Sequence, residues 1–251
     1  MEPYAGGAGA GLALLATGQV TSIVINDLDP AIYAFWRLLT EEPDYLVRKI
    51  SSVALTVDEW KRQKVAYGRS HVHDVKKLGF ATFYLNRTNR SGLLNGGPIG
   101  GLAQTGPYKI DARFNREKLA ERVNSLRILA PNIFVTSRDG VDVIDDYCAS
   151  DDAFIYADPP YFRKAGTLYM NSFDGDDHAA LSETLNAAAD SHWLLTYDDV
   201  PDVDRLYESR RRVRFDLRYS ANGASEATEV AVLSDSLASI SEGWKVAGRK
   251  R

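Results

Sequence analysis

The chain has 251 residues, of which 45% are hydrophobic and 25% charged, and its formal net charge is −4. This composition excludes a disordered chain, and no run reaches the ~18 consecutive apolar residues that a membrane span needs. A single cysteine, Cys148, excludes an internal disulfide, and the opening residues lack a signal-peptide pattern. The single cysteine favours a reducing compartment, so we expect a cytoplasmic protein with no membrane partner. We interpret His71 and His73 as a surface pair and expect no metal.

The first elements follow an α/β pattern. A glycine-rich loop, Gly6–Gly11, leads into an apolar helix. The β-branched run Ser22–Ile25 predicts a strand that ends in the acidic sequence Asn26–Pro30, and apolar residues recur at helical spacing from Ile32 to Leu39. Loop, helix, strand and helix in this order predict the start of a doubly wound, Rossmann-like sheet.

Residues 43–125 interrupt this pattern. A helix is predicted over Val47–Lys64, and the six glycines of Ser91–Gly106 predict a long loop. From Lys61 to Arg116 the chain has eleven lysines and arginines but only two aspartates. A solvated basic face has this composition, but in an acidic chain it is typical of a polyanion-binding element. We therefore predict that residues 43–125 form a mainly helical insertion that binds a polyanion.

The α/β pattern resumes after the insertion, so that residues 1–42 and 126–251 are predicted to form one α/β domain. Its later predicted elements are strands at Ile133–Thr136, Phe154–Ala157 and Trp193–Tyr197, a helix at His178–Ala189, and an antiparallel pair of strands at Val213–Tyr219 and Thr228–Leu233.

The glycine-rich loop and the acidic end of the next strand indicate an adenosine-containing cofactor. Glycines let a ligand approach the backbone, and the following helix N-terminus is electropositive. Asp27 lies 18 residues after Gly9, close to the ~20 residues typical of a carboxylate that binds ribose hydroxyls. A tight structural turn is the alternative interpretation.

Asp158-Pro159-Pro160-Tyr161 is the most specific motif. It follows an apolar strand, and α/β proteins place ligands at this edge of the sheet. The prolines lack N–H donors, so the motif presents a carboxylate and carbonyl oxygens that suit an exocyclic amino group. The Tyr161 ring offers a surface on which a base can stack.

In motif order, the sequence resembles the Dam-like DNA adenine-N6 methyltransferases. The matching segments are Glu2–Gly9 for the S-adenosylmethionine loop, Asn26–Pro30 for the acidic motif, Phe83–Thr88 with Gly92 for the recognition signature, Ser137–Asp139 for the segment near the cofactor adenine, and Asp158–Tyr161 for the catalytic motif.

The resemblance implies a role for each matching position. The residues expected to bind S-adenosylmethionine are Tyr4, Ala5, Gly6, Gly7, Gly9, Asp27, Asp139 and Gly140. Asp158 and the Pro159 carbonyl, supported by Pro160, would accept hydrogen bonds from the target N6 amino group, and Tyr161 would stack on the flipped base.

The predicted partner is double-stranded DNA. The residues expected to bind it are Asn86, Arg87, Arg90, Ser91, Asn95, Lys109 and Arg113. The arginines and Lys109 are expected to contact phosphates, whereas Asn95 and Gln104 are candidates for contacts with base edges.

Two departures from the family pattern leave parts of the function open. Only Met1–Pro3 precede Tyr4, where the family has a strand and a lysine-bearing motif, so a missing N-terminal segment or another chain is expected to supply them. Arg90-Ser91-Gly92 replaces an aromatic-Asn-Gly sequence of relatives that read GATC, so the target sequence is not predicted. A restriction enzyme is a further possible partner.

Two other functions fit parts of the pattern. Related acceptor motifs serve methylation of RNA or of protein amides, although an aspartate at position 158 and a basic insertion favour DNA adenine. A DNA-binding subunit or an inactive remnant without cofactor is the second alternative.

Overall fold

The computed structural model describes residues 1–68, 74–162, 173–219 and 225–240. In these residues the elements are, in chain order, α1 (Gly9–Ala16), β1 (Ile23–Asn26), α2 (Pro30–Glu41), α3 (Pro43–Ser52), α4 (Val57–Gly68), α5 (Val75–Thr88), α6 (Arg116–Leu129), β2 (Ile133–Thr136), α7 (Gly140–Cys148), β3 (Phe154–Ala157), α8 (Gly175–Ala187), β4 (His192–Asp198), α9 (Pro201–Leu206), β5 (Arg211–Tyr219), β6 (Ser225–Leu233) and α10 (Asp235–Ile240). The predicted mixed α/β class is therefore confirmed. None of the described helices is long and apolar enough to cross a membrane.

The chain divides into two compact units. The first, which we call the sheet unit, comprises Met1–Leu14, Val24–Leu28 and Arg138–Arg251. The second, which we call the helical unit, comprises Leu15–Ile23 and Asp29–Ser137. The predicted insertion, residues 43–125, lies within the helical unit, and its binding to DNA stays a prediction.

The sheet unit contains a four-stranded sheet with the order β3-β4-β6-β5. β3 and β4 are parallel, with Ala157 paired to Leu195. β6 is antiparallel to both β4 and β5, which confirms the predicted antiparallel pair near the end of the chain. The parallel pair places the ends of β3 and β4 at one edge, so the residues after β3 lie beside the end of β4.

Met1 and Glu2 make strand-like hydrogen bonds on both sides, although the sequence predicted no strand before Tyr4. The Glu2 amide donates to the Val24 carbonyl at 2.9 Å, and Asn26 donates to the Glu2 carbonyl at 3.0 Å. On the other side, the Tyr156 amide donates to the Met1 carbonyl at 2.9 Å. Residues 1 and 2 therefore connect the backbone of β1 with that of β3.

The core of the sheet unit lies where alternate strand residues face two helices. Ile155 on β3, and Trp193 and Leu195 on β4, are fully buried together with Ile144 of α7 and Leu181 of α8. Burial of a large side chain contributes about 1.5–3 kcal/mol. This packing stabilises the parallel strands, one of which leads directly into the Asp-Pro-Pro-Tyr sequence.

Close packing of α2 against α5 organises the helical unit. A Cβ atom added to Gly79 would lie 2.4 Å from the Ala34 carbonyl oxygen, so only glycine permits this approach of the two backbones. Ala31, Ala34, Ala81 and Leu85 are buried in the same cluster. Small residues thus let the helices pack closely.

The predicted single helix over Val47–Lys64 is wrong, because the chain forms α3 and α4 with a break between them. Val53 has an extended backbone, with φ −62° and ψ 137°. Its carbonyl accepts a hydrogen bond from Arg116 at 2.6 Å, and the Ala54 carbonyl accepts one from the Tyr84 hydroxyl at 3.0 Å. These tertiary hydrogen bonds replace those that a continuous helix would make.

Candidate functional site

The Asp158 carboxylate lies directly after β3 and is held by two hydroxyl groups. Its Oδ1 atom accepts hydrogen bonds from the Tyr161 hydroxyl and from Thr196 Oγ1, each at 2.9 Å. The Asp158 side chain is exposed, whereas Pro159 is buried. Because Pro159 and Pro160 have no N–H groups, the backbone after Asp158 presents carbonyl acceptors without competing donors. The arrangement suits a ligand with amino hydrogens.

Tyr161, whose hydroxyl binds the Asp158 carboxylate, is only 9% exposed. Its ring packs at a tilt against Tyr197, with the ring centroids 6.1 Å apart. The hydroxyl orients Asp158, which the sequence did not predict. Stacking of Tyr161 on a base stays a prediction, and it requires that more of the ring become accessible than this conformation exposes.

The glycine-rich loop and Asp27 lie together in the sheet unit. The Gly6 amide donates to Asp27 Oδ2 at 2.9 Å, and the Ala5 amide donates to the Asn26 carbonyl at 2.9 Å. Among the described residues, a Cβ atom at Gly6, Gly7 or Gly9 would meet nothing within 4 Å. An open backbone surface therefore lies over the loop that begins α1, where a cofactor can approach closely.

Asn26 joins this loop to the segment before α7, a role that the sequence did not reveal. Its buried amide group donates to the carbonyls of Pro3 at 2.9 Å and Arg138 at 3.0 Å. Its carbonyl oxygen accepts from the Arg138 amide at 2.9 Å. Asp139 then accepts from the Val141 amide at 2.8 Å and caps α7.

Tyr4 and Gly140 are in direct contact. A Cβ atom at Gly140 would lie 2.2 Å from Tyr4 Cε1, so the ring occupies the space of a side chain there. The Tyr4 hydroxyl is buried and has no hydrogen-bond partner among the described residues. Burial, followed by the charges of Asp139 and Asp177, raises the pKa of Tyr4. The phenol is thus uncharged and keeps its hydrogen for donation.

Glu2 is a buried carboxyl group beside this site, and it was not predicted. It is 6% exposed and accepts a hydrogen bond from the Gly11 amide in the first turns of α1. Burial raises the pKa of Glu2 to about 6. The Gly11 hydrogen bond and the N-terminal ammonium oppose the shift, and the nearby charge of Asp158 adds to it.

A separate cluster of arginines lies in the helical unit. Arg87, in the last turn of α5, is half-buried, and Asn86 Oδ1 accepts from its Nη2 at 2.6 Å. Burial, followed by the charges of Arg113 and Arg122, lowers the pKa of Arg87. No acidic group contributes to that shift. Guanidinium groups that lie near one another attract anions.

The loop after α5 is held by a buried asparagine that the sequence did not single out. Asn89 Oδ1 accepts from the Trp60 indole at 2.6 Å, and Asn89 Nδ2 donates to the carbonyls of Leu93 at 2.7 Å and Leu94 at 3.1 Å. The Asn86 amide donates to the Gly92 carbonyl at 3.1 Å. Arg90, Ser91 and Asn95, all predicted to contact DNA, have exposed side chains on this anchored loop.

Gln104 does not have the base-reading geometry expected from the sequence. Its Nε2 atom donates to the carbonyls of Ile99 at 2.8 Å and Gly101 at 2.6 Å, which uses both amide hydrogens. Its Oε1 atom accepts from the Ile110 amide at 2.9 Å. Gln104 therefore stabilises the loop, and the exposed Lys109 donates to the Gln104 backbone carbonyl.

An open groove of about 390 Å³ lies beside the same loop. Its lining includes Arg90, Ile99 and Tyr108, and the Tyr108 side chain is 72% exposed. The groove is part of the helical unit. It places an arginine and an aromatic ring at one accessible surface.

The described residues contain no group of three or more histidine, cysteine, aspartate or glutamate side chains arranged to hold a metal ion. The predicted surface pair, His71 and His73, lies outside the described residues, as does Arg69, one of the basic residues between Lys61 and Arg116.

Comparison with known families identifies the protein class. An α/β protein with a glycine-rich loop and an Asp-Pro-Pro-Tyr acceptor group has the features of a methyltransferase that acts on an amino group. Residues 1–221 match the model of the D12 class N6 adenine-specific DNA methyltransferases, and the chain belongs to this family. The resemblance carried by the motifs is thus confirmed. No curated protein was found to match the chain.

Proposed function

We propose that the protein transfers a methyl group from S-adenosylmethionine to the N6 atom of an adenine flipped out of duplex DNA. The observation that carries this proposal is the Asp158 carboxylate, which the Tyr161 and Thr196 hydroxyls hold at 2.9 Å immediately before two prolines. Membership of the family supplies the substrate class.

The residues near the glycine-rich loop fit the cofactor. Gly6, Gly7 and Gly9 leave open space over the backbone, and Asp27 is at the edge of that space for contact with ribose hydroxyls. The Tyr4 hydroxyl is a buried donor without a partner among the described residues. We propose that these groups, with Ala5, Asp139 and Gly140, bind S-adenosylmethionine on a Rossmann-like sheet.

Asp158 and the Pro159 carbonyl would accept the two hydrogens of the target amino group. Fixed acceptors withdraw the nitrogen lone pair from conjugation with the ring and make it available for attack. When bound, S-adenosylmethionine supplies a methyl group on a positively charged sulfur. Adenine N6 would take this methyl group, the sulfur would keep the bonding electrons, and the proton that N6 loses would pass to solvent. No covalent enzyme intermediate is needed.

The helical unit would hold the DNA. Arg87 interacts with the charges of Arg113 and Arg122, and no acidic group contributes to the shift of its pKa. A cluster of guanidinium groups of this kind suits phosphate oxygens. Ser91 and Asn95 are exposed on the anchored loop, where they are candidates for base-edge contacts, and the exposed Arg90 beside them would contact a phosphate. We propose that residues 43–125 act as the recognition part of the enzyme and residues 1–42 and 126–251 as its catalytic part.

The test is transfer of radiolabelled methyl from S-adenosylmethionine to duplex DNA, with RNA and protein as parallel substrates. We expect label in DNA, and sequencing of a methylated plasmid should place it at adenine N6. Label confined to RNA or protein would contradict the proposed substrate. Failure to bind the cofactor in calorimetry would support a DNA-binding remnant instead.

Asp158→Ala provides the matching variant. Loss of a preorganised hydrogen-bonding group costs about 2.7–4 kcal/mol of transition-state stabilisation, so we expect turnover to fall by at least ~10²-fold. Calorimetry should show S-adenosylmethionine affinity close to that of the native protein. Native turnover in this variant would show that Asp158 has a structural role only.

A further inference from the structure

Thr196 and Asp158 are neighbours across the parallel strands β3 and β4. Ala157 is paired with Leu195, so the next residues along the two strands, Asp158 and Thr196, lie opposite each other. Thr196 is 7% exposed, and its Oγ1 atom is 2.9 Å from Asp158 Oδ1. The Tyr156 hydroxyl lies 3.2 Å from the same Thr196 oxygen.

The number of available hydrogens sets the direction of this chain of hydrogen bonds. An ionised carboxylate only accepts, so Thr196 must give its single hydroxyl hydrogen to Asp158. The Tyr156 hydroxyl must then donate to Thr196. Burial, followed by the charge of Asp158, raises the pKa of Tyr156 to about 12, which keeps that hydroxyl protonated. Tyr156, Thr196 and Asp158 therefore form one directed series.

We infer that Thr196 is a positioning residue for methyl transfer: with Tyr156 behind it, its hydroxyl fixes the rotation of the Asp158 carboxylate and stabilises its ionised form. Tyr161, three residues further along the chain, donates to the same Oδ1 atom. Two donors at one oxygen hold the carboxylate plane in a single orientation. The inference rests on the proposed function, in which Asp158 accepts from the target amino group.

The kinetic test compares Thr196→Val, which removes the hydroxyl at nearly constant shape, with Thr196→Ser, which keeps it. We expect the valine variant to lose about tenfold in kcat, with KM values for DNA and cofactor within about twofold of native. The serine variant should keep kcat within about twofold. Equal kcat in all three proteins, or a loss confined to KM, would overturn the inference.

The second test measures the Asp158 carboxyl directly and requires neither cofactor nor DNA. Carbon-13 NMR of labelled aspartate, with the Asp158 signal assigned from Asp158→Asn, gives its titration. A hydrogen bond to the charged form lowers a carboxyl pKa, so the Asp158 pKa should rise by about one unit in Thr196→Val and stay at the native value in Thr196→Ser. An unchanged Asp158 pKa in the valine variant would overturn the inference.

Other titratable groups near Asp158 are controlled in the same experiment. Glu2 from the N-terminal segment, Tyr156 and Tyr161 around β3, and Tyr197 from β4 interact with Asp158. Of these groups, Glu2 has the pKa closest to that of an aspartate. The titrations are therefore repeated in a protein that also carries Glu2→Gln. If Thr196→Val does not fold, Tyr156→Phe weakens the same series from its outer end and should raise the Asp158 pKa by a smaller amount.

The two tests separate this inference from the proposed function. A native protein that methylates no DNA contradicts the proposed function, whatever Thr196 does. In that case the Asp158 pKa still decides whether Thr196 fixes the carboxylate.

Discussion

Gly140 and Gly7 face very different surroundings, and their alanine variants should separate stability from cofactor binding. An alanine Cβ at Gly140 would lie 2.2 Å from the Tyr4 ring, so Tyr4 or α7 must move. Overpacking of this kind costs about 1–3 kcal/mol, which urea unfolding of Gly140→Ala should show. Gly7→Ala should leave the free energy of unfolding nearly unchanged, because a Cβ there meets nothing within 4 Å.

The same Gly7→Ala variant tests the cofactor surface. If S-adenosylmethionine lies on the open backbone of the loop, the added methyl group should weaken its binding by about tenfold or more in calorimetry. Native affinity in Gly7→Ala would place the cofactor elsewhere. Gly140→Ala cannot serve this purpose, because it alters Tyr4 as well.

Glu2 gives the sheet unit a pH dependence of known sign. Its pKa is raised from 4.5 to about 6 in the folded protein. Between these values the folded state keeps a proton that the unfolded state has released, so stability rises as pH falls through this window. Above pH 6 the buried charge costs about 2 kcal/mol.

Glu2→Gln should therefore be more stable than the native protein by about 1–2 kcal/mol at pH 7.5. The difference should nearly disappear near pH 3, where Glu2 is protonated in both states. The exposed Glu183, changed to Gln, is the control and should show no such difference. A constant difference at both pH values would show that the Glu2 carboxyl is not the titrating group.

At the scale of elements, strands were easier to predict than the insertion's helices. Ile133–Thr136 and Phe154–Ala157 form strands with the predicted bounds, because short β-branched and apolar runs carry a local signal. The break between α3 and α4 depends on Arg116, which is more than sixty residues away. Such a contact leaves no local pattern.

The site was predictable to the same limited extent. Asp158 and the glycine-rich loop are recognisable from local motifs, whereas Thr196 lies 38 residues from Asp158 and acts through strand register. Asn89 likewise depends on Trp60, 29 residues away. Residues that orient others are determined by tertiary geometry, and a single sequence does not display it.

The arginine cluster around α5 and α6 should set the salt dependence of DNA binding. Each phosphate that the protein neutralises contributes about 0.9 to the slope of log affinity against log salt. Replacing Arg113 and Arg122 with Gln should flatten this slope and weaken binding to all duplexes alike. Arg127→Gln is the control, because Arg127 is also on α6 but pairs with Asp44 at 2.7 Å. If Arg127→Gln lowered the slope by the same amount, the arginine cluster would not be the phosphate site.

At the scale of the whole molecule, charge is divided unequally between the two units. The helical unit has seventeen basic and ten acidic residues, whereas the sheet unit has thirteen basic and twenty-four acidic residues. The net charge of −4 therefore conceals a positive unit and a strongly negative one. A polyanion should be attracted by the helical unit and repelled by the sheet unit.

This division predicts that salt affects the two ligands differently. With three phosphate contacts, one for each of Arg87, Arg113 and Arg122, raising salt from 50 to 200 mM should weaken DNA binding roughly 40-fold, because counterion release scales with the number of contacts. Binding of S-adenosylmethionine in the sheet unit depends on short contacts and should change by less than about twofold. Fluorescence anisotropy of a labelled duplex and calorimetry of the cofactor measure the two. DNA affinity independent of salt would show that the positive charge of the helical unit does not hold the DNA backbone.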